Sequence, residues 1–181
     1  MKSVIKSAKP YWIYLMLIGK KKEEVCKEFP KSSDWDRTVE MYCSKDKKSF
    51  NHIPAKDQEW MRKYLGKIAC RFVCDSMRTG RADTLTQAHA HNNPGETCLN
   101  DYELVFYVTY GKPLYFWHIS DLEIYDKPKA LNEFYKVGKH DACIYGQKTC
   151  LYAHTTDYCR VCEFELKYPP QSYCYAERPQ S

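Results

Sequence analysis

Pro10 to Val25 reads PYWIYLMLIGKKKEEV, and the rest of the chain falls into place around it. Pro10 suits the first turn of a helix, where its missing N–H is a donor that a helix start leaves unpaired anyway. The apolar run Tyr11–Ile18 extends that helix, and Gly19 is a natural stop. Lys20, Lys21 and Lys22 follow at once, and Glu23–Glu28 then reads as a strand. Upstream, Ser3–Ser7 reads as a first short strand with Val4 and Ile5 at its centre.

Charge is concentrated around this stretch. Residues 1–31 hold eight lysines against three glutamates, an excess of five that equals the net +5 of the 181-residue chain. A local basic patch attracts phosphates better than the same charge spread evenly; a solubilising lysine face is the bland reading of the same residues. Hydrophobic residues at 44% and charged residues at 28% exclude wholesale disorder. The 16 Tyr, 7 Phe and 4 Trp suit both a core and a base-stacking surface.

Further along, Thr38–Ser44 alternates, with Val39, Met41 and Cys43 on one side and Thr38, Glu40, Tyr42 and Ser44 on the other. Residues 45–56 read as a polar loop, followed by a helix near Asp57–Leu65. Gly66–Cys74 is the clearest core strand, with Ile68, Cys70, Phe72 and Cys74 sharing a face. Residues 76–97 read as an exposed loop, Asn100–Tyr110 as a helix ending near Gly111, and Leu114–Tyr125 as one bent strand or two. Pro128 introduces a short helix through Tyr135, and Ser172–Glu177 is a last strand. Many short strands with a few helices imply an α+β domain, a small barrel flanked by helices being one architecture that fits. Asp121 and Glu123 alternate with apolar residues as a solvated strand face does. Trp12 and Trp117 are candidate stacking residues, with core packing the commoner use of such a ring, and His118 reads as a structural histidine.

Three separated segments stand out together: the opening helix with Gly19-Lys20-Lys21 and Glu24, the middle segment Trp117–Pro128, and the closing Pro169-Pro170 with Ser172–Tyr175. In this order they resemble the small ASCH-domain proteins common in bacteriophages and mobile elements, a branch of the PUA-like β-barrels. The resemblance covers roughly residues 1–75 and 110–177. It implies an α+β domain built as a small PUA-like (ASCH) β-barrel with flanking helices and a Cys-rich insertion. It implies a cleft beside the Gly-x-Lys turn that takes RNA or a modified nucleotide, with Lys9, Trp12, Lys20, Lys21, Lys22 and Glu24 as contact residues. One branch of the family hydrolyses an acylated cytidine with a Lys and a hydroxyl or acidic partner, which puts Lys21 and Glu24 in the catalytic positions if this chain is an enzyme. A desolvated lysine can serve as base or nucleophile; the alternative is a point charge that meets a phosphate. Cys26 stands where the family usually has Arg, and a thiol cannot replace a guanidinium's bidentate contact. That favours binding over an amidohydrolase or ribonuclease activity.

Between residues 138 and 168 the chain is Cys-rich. Cys159-x-x-Cys162 has the spacing at which two thiolates reach one tetrahedral ion, and Cys143 and Cys150 complete a four-ligand structural zinc site, with His140 or His154 as substitutes. Buried thiols or disulfides are the other fates of these residues, and the remaining cysteines sit in apolar strand contexts where Cys is a small hydrophobe. The run Tyr11–Ile18 is too short to span a bilayer and lacks a cleavage-site pattern, so the chain reads as cytoplasmic, without a membrane partner. A host protein is a third kind of partner: a phage-encoded module inhibiting a bacterial defence system would recognise it through the Thr79–Thr97 loop or the Cys-rich insertion.

Overall fold

A computed structural model describes residues 2–30, 36–136, 168–170 and 173–177. The expected α+β architecture is present, with two sheets and several short helices. One sheet of six strands contains β1 (Lys2–Ala8), β3 (Thr38–Cys43), β4 (Ile68–Val73), β7 (Ser120–Lys129), β8 (Tyr135–Lys136) and β9 (Tyr173–Glu177), in the order β7-β4-β3-β1-β9-β8. A second sheet of three holds β2 (Glu23–Cys26), β5 (Met77–Gly80) and β6 (Leu114–His118), in the order β2-β6-β5. No helix among the described residues is long and apolar enough to cross a membrane.

The strand β1 lies inside the large sheet, parallel to β3 and antiparallel to β9. Both of its faces are covered. Val4 points into the main core while Ile5, its neighbour on the opposite face, joins a second cluster with Tyr42, Tyr125 and Phe134. The strand β3 is likewise buried on both sides, so Glu40 does not face water as alternation predicts. It is 2% exposed and accepts a hydrogen bond from the Tyr125 hydroxyl at 2.9 Å. The expected common face of β4 is also broken: Cys70, Phe72 and Cys74 enter the main core, but Ile68 belongs to the second cluster. Register shifts on both sides of β4 at this point account for the switch.

Helix α1 (Pro10–Leu17) starts at Pro10 and ends before Gly19, whose φ of +72° is the left-handed backbone that glycine adopts without penalty. It is buried through Ile13–Leu17, as an almost wholly apolar helix must be. The region read as a polar loop at 45–56 contains the short helix α2 (Lys47–Phe50), N-capped by Asp46, whose side chain accepts from the Ser49 amide. α3 (Ala55–Arg62) follows close to expectation. Residues 76–97 are ordered, contrary to the loop reading: β5 pairs with β6, and α4 (Leu85–His91) and α5 (Pro94–Thr97) follow. The backbone pairing and the Thr84 cap on α4 outweigh the polar composition that suggests a loop. α6 (Asp101–Tyr107) opens with an Asn100–Glu103 capping box. Pro128 lies within β7, and the expected helix after it is only a single 3₁₀ turn at Leu131–Glu133.

Four cysteines, Cys26, Cys43, Cys70 and Cys74, are buried thiols. Burial pushes Cys26 and Cys43 up to about 12 and Cys74 up to about 11, and raises Cys70 as well. Thiolate is the reactive form, so iodoacetamide at neutral pH is expected to leave these four unmodified in the native protein, as peptide mass mapping would show. The folded state holds protons that the unfolded chain releases, so stability should fall as pH rises above the ordinary thiol value of about 8.5.

Candidate nucleotide-binding cleft

Lys21 follows from how α1 ends. After Gly19 the chain turns back, and the Lys20 and Lys21 amides both donate to the Leu15 carbonyl, at 2.9 and 3.0 Å. This closes the helix and directs the Lys21 side chain inward, leaving it 3% exposed. The Lys22 amide donates to the Glu96 carbonyl at 2.7 Å, and the Lys22 carbonyl accepts from the Ile119 amide at 2.8 Å. The turn is thereby fastened to α5 on one side and to the β6–β7 junction on the other.

Inside, Lys21 Nζ donates to the Thr97 carbonyl at 2.7 Å and lies 3.6 Å from Glu24 Oε2. Thr97 is the last residue of α5, and such end carbonyls carry the partial negative charge of a helix C-terminus. The second Glu24 oxygen, Oε1, is 3.4 Å from Lys6 Nζ. Lys6 is 7% exposed and Glu24 6%. Lys6 arrives by the two-residue period of β1, on the same face as Val4. Desolvation opposes its charge, but the Glu24 carboxylate beside it favours the ammonium, which is held protonated beyond the ordinary lysine range.

Glu24 thus bridges two ammonium groups, and the buried triad carries one positive charge more than it compensates. Burying such a charge costs several kcal/mol unless a partner satisfies it, on the order estimated for buried ions generally. The triad sits at the wall of a cleft of about 640 Å³, within the roughly 300–1,000 Å³ range of small-molecule sites. Among the described residues four lysines (6, 9, 21 and 27) and a single glutamate, Glu24, line it, a net of three positive charges.

The remaining walls are aromatic and polar. Trp12 is half-buried on α1, with Lys21 Nζ 5.5 Å from its ring centroid. Tyr107, from α6, donates through its hydroxyl to the Val25 carbonyl at 3.3 Å, and burial pushes that hydroxyl up to about 12. The Ser44 hydroxyl is enclosed at the cleft and has no hydrogen-bond partner among the described residues.

Of the residues read from sequence, Lys9, Trp12, Lys21 and Glu24 line this one cleft, and Lys20 and Lys22 lie exposed on the turn beside it. Lys6, Tyr107 and Thr97 belong to the same arrangement and are additions that the structure makes. A signal for Lys6 is present in the sequence, as a lysine on the core face of a strand. Thr97 carries none, since its role rests on a contact 76 residues away. Trp117 is fully buried in the core rather than open for stacking. His118 meets Asp75 at 2.7 Å and holds a structural position. Cys143, Cys150, Cys159 and Cys162, with His140 and His154, lie outside the described residues. Among the described residues no group of three metal-ligating side chains converges.

No protein-family model matches the chain, and no curated protein sequence matches it. Among solved structures it is similar to an ASCH protein from Zymomonas mobilis, at 13% identity with a TM-score of 0.52, over 96% of this chain and 86% of the other. Two single-residue variants of that protein match in the same way: one at 12% identity and TM-score 0.52 over 97% and 90%, the other at 12% and 0.51 over 96% and 87%. The chain therefore shares the fold of that ASCH protein across nearly its whole length.

Proposed function

We propose that this chain binds RNA or a nucleotide, with the anionic group of the ligand completing the charge balance of the Lys6–Glu24–Lys21 triad. The observation that carries the reading is a net of three positive charges, among the described residues, lining one cleft whose wall includes a half-buried tryptophan. Phosphate supplies the anion, and a base supplies a flat face for Trp12. The ASCH fold is consistent with this use.

Binding accounts for the geometry better than catalysis does. A nucleophilic amine needs a lone pair to offer, whereas Lys21 Nζ donates to a carbonyl and faces a carboxylate. Cys26 is a buried thiol rather than a cation at the edge of the site. The zinc site at Cys143, Cys150, Cys159 and Cys162 belongs to the same proposal, supported by ligand spacing alone. Its role would be structural, organising the Cys-rich insertion.

Native mass spectrometry of the protein after incubation with the four ribonucleoside monophosphates tests both parts. The expected result is a surplus of one whole nucleotide over the denatured mass, with a further surplus of one zinc. Identical native and denatured masses after that incubation would overturn the nucleotide reading, and a nucleotide surplus alone would remove the zinc.

A further inference from the structure

A second cavity, of about 490 Å³, opens beside the first, and Lys27 lines both. We propose that the cleft continues past Lys27 into a second nucleotide position, so that the ligand is a single-stranded RNA segment of at least two linked nucleotides. This rests on the nucleotide-binding reading of the first cleft and extends it.

The chain runs from one position to the other along β2 and its exit. Glu24 and Cys26 face the first cleft and its core, and Lys27 then crosses its rim, with Nζ 4.8 Å from the ring centroid of Tyr107. Phe29, two residues on, packs against Tyr115 to form an aromatic wall of the second cavity, their rings 5.9 Å apart and inclined by 32°. Phe29 is fixed from behind by the buried Trp117, edge-on at 5.9 Å. Tyr115 is set by the pairing of β6 with β2, where it stands opposite Cys26.

Lys112, Thr109 and the carboxylate-bearing Glu28 also line the second cavity. Among the described residues two lysines, Lys27 and Lys112, stand against that one glutamate, so the second position keeps a net positive lining beside an aromatic wall. Lys27 stands where a linking phosphate would pass between them. Its volume again falls within the roughly 300–1,000 Å³ typical of ligand sites. A basic groove interleaved with aromatic rings is how proteins follow a single strand, and only unpaired bases present their faces to such walls.

The test compares affinities of the full chain for an equimolar mixture of the four ribonucleoside 5′-monophosphates and for a random-sequence ribohexamer. The same titrations are run on Lys112→Glu, a change at an exposed side chain. The expected result is that wild type binds the hexamer at least tenfold tighter than the monophosphates. Lys112→Glu should lower the hexamer affinity about tenfold while leaving the monophosphate affinity in place. Its salt dependence should also become shallower, by about 0.7 in the log–log slope for each phosphate that is no longer neutralised. Equal affinities for the two probes, an unchanged hexamer affinity in the variant, or equal weakening of both probes would each overturn the second position while the single-nucleotide reading stands. Binding of neither probe by wild type would remove both.

Discussion

Glu24→Gln is expected to destabilise the fold by about 3–5 kcal/mol, the usual cost of removing one partner from a buried ion pair. Among the described residues its carboxylate is the negative group that lies between Lys6 and Lys21, at 3.4 and 3.6 Å, and all three side chains are nearly inaccessible. Without it two ammonium groups face each other across a neutral amide. Equilibrium urea denaturation reads the loss directly as a lower midpoint. The variant should also gain more from added phosphate than wild type does, because an anion that binds only the folded state stabilises it. A loss below about 1 kcal/mol would place Glu24 with solvent-screened surface pairs instead.

Lys21→Ala should act in the opposite proportion. Removing this ammonium leaves Lys6 and Glu24 as a neutral pair, so the charge balance of the interior improves. The fold gives up one hydrogen bond to the Thr97 carbonyl, worth about 1 kcal/mol net. Ligand binding should suffer far more. A hydrogen bond to a charged group contributes about 1.5–3 kcal/mol, which corresponds to a loss of roughly 10- to 150-fold in affinity. Titration of tryptophan fluorescence with the ribohexamer measures it, and circular dichroism confirms that the variant is folded. Affinity unchanged in a folded Lys21→Ala would show that the ligand does not use the triad. The two substitutions thus separate the residue that holds the cleft together from the residue that meets the ligand.

The boundaries of this site are legible in the sequence where local rules act alone. Pro10, the apolar run and Gly19 define α1 by backbone preference, and the lysine turn follows from where that helix must stop. Glu24 and Lys21, being three residues apart, are readable as neighbours from the turn. Long-range contacts are not. Residues 76–97 look polar and loop-like, yet β5 completes the small sheet and the end of α5 supplies the carbonyl that anchors Lys21. Likewise Glu40 looks solvent-facing because period-two alternation assumes one wet face, and β3 has none. Lys6 is hidden for a different reason: within a lysine-rich stretch its charge masks its position on the core face of β1. The fold itself is recognisable from three short segments although overall identity to the similar solved structure is 13%. Those segments are the ones that set α1 with its turn, the β6–β7 strands and the closing strand β9.

Ultraviolet crosslinking of a random-sequence RNA to the full chain, followed by peptide mapping, tests the central claim most directly. The prediction is that nucleotide adducts fall on the peptides bearing Trp12 and Tyr107, the aromatic walls of the lysine-lined cleft. Adducts confined to peptides elsewhere, or no retention of RNA by the protein at low salt, would contradict it.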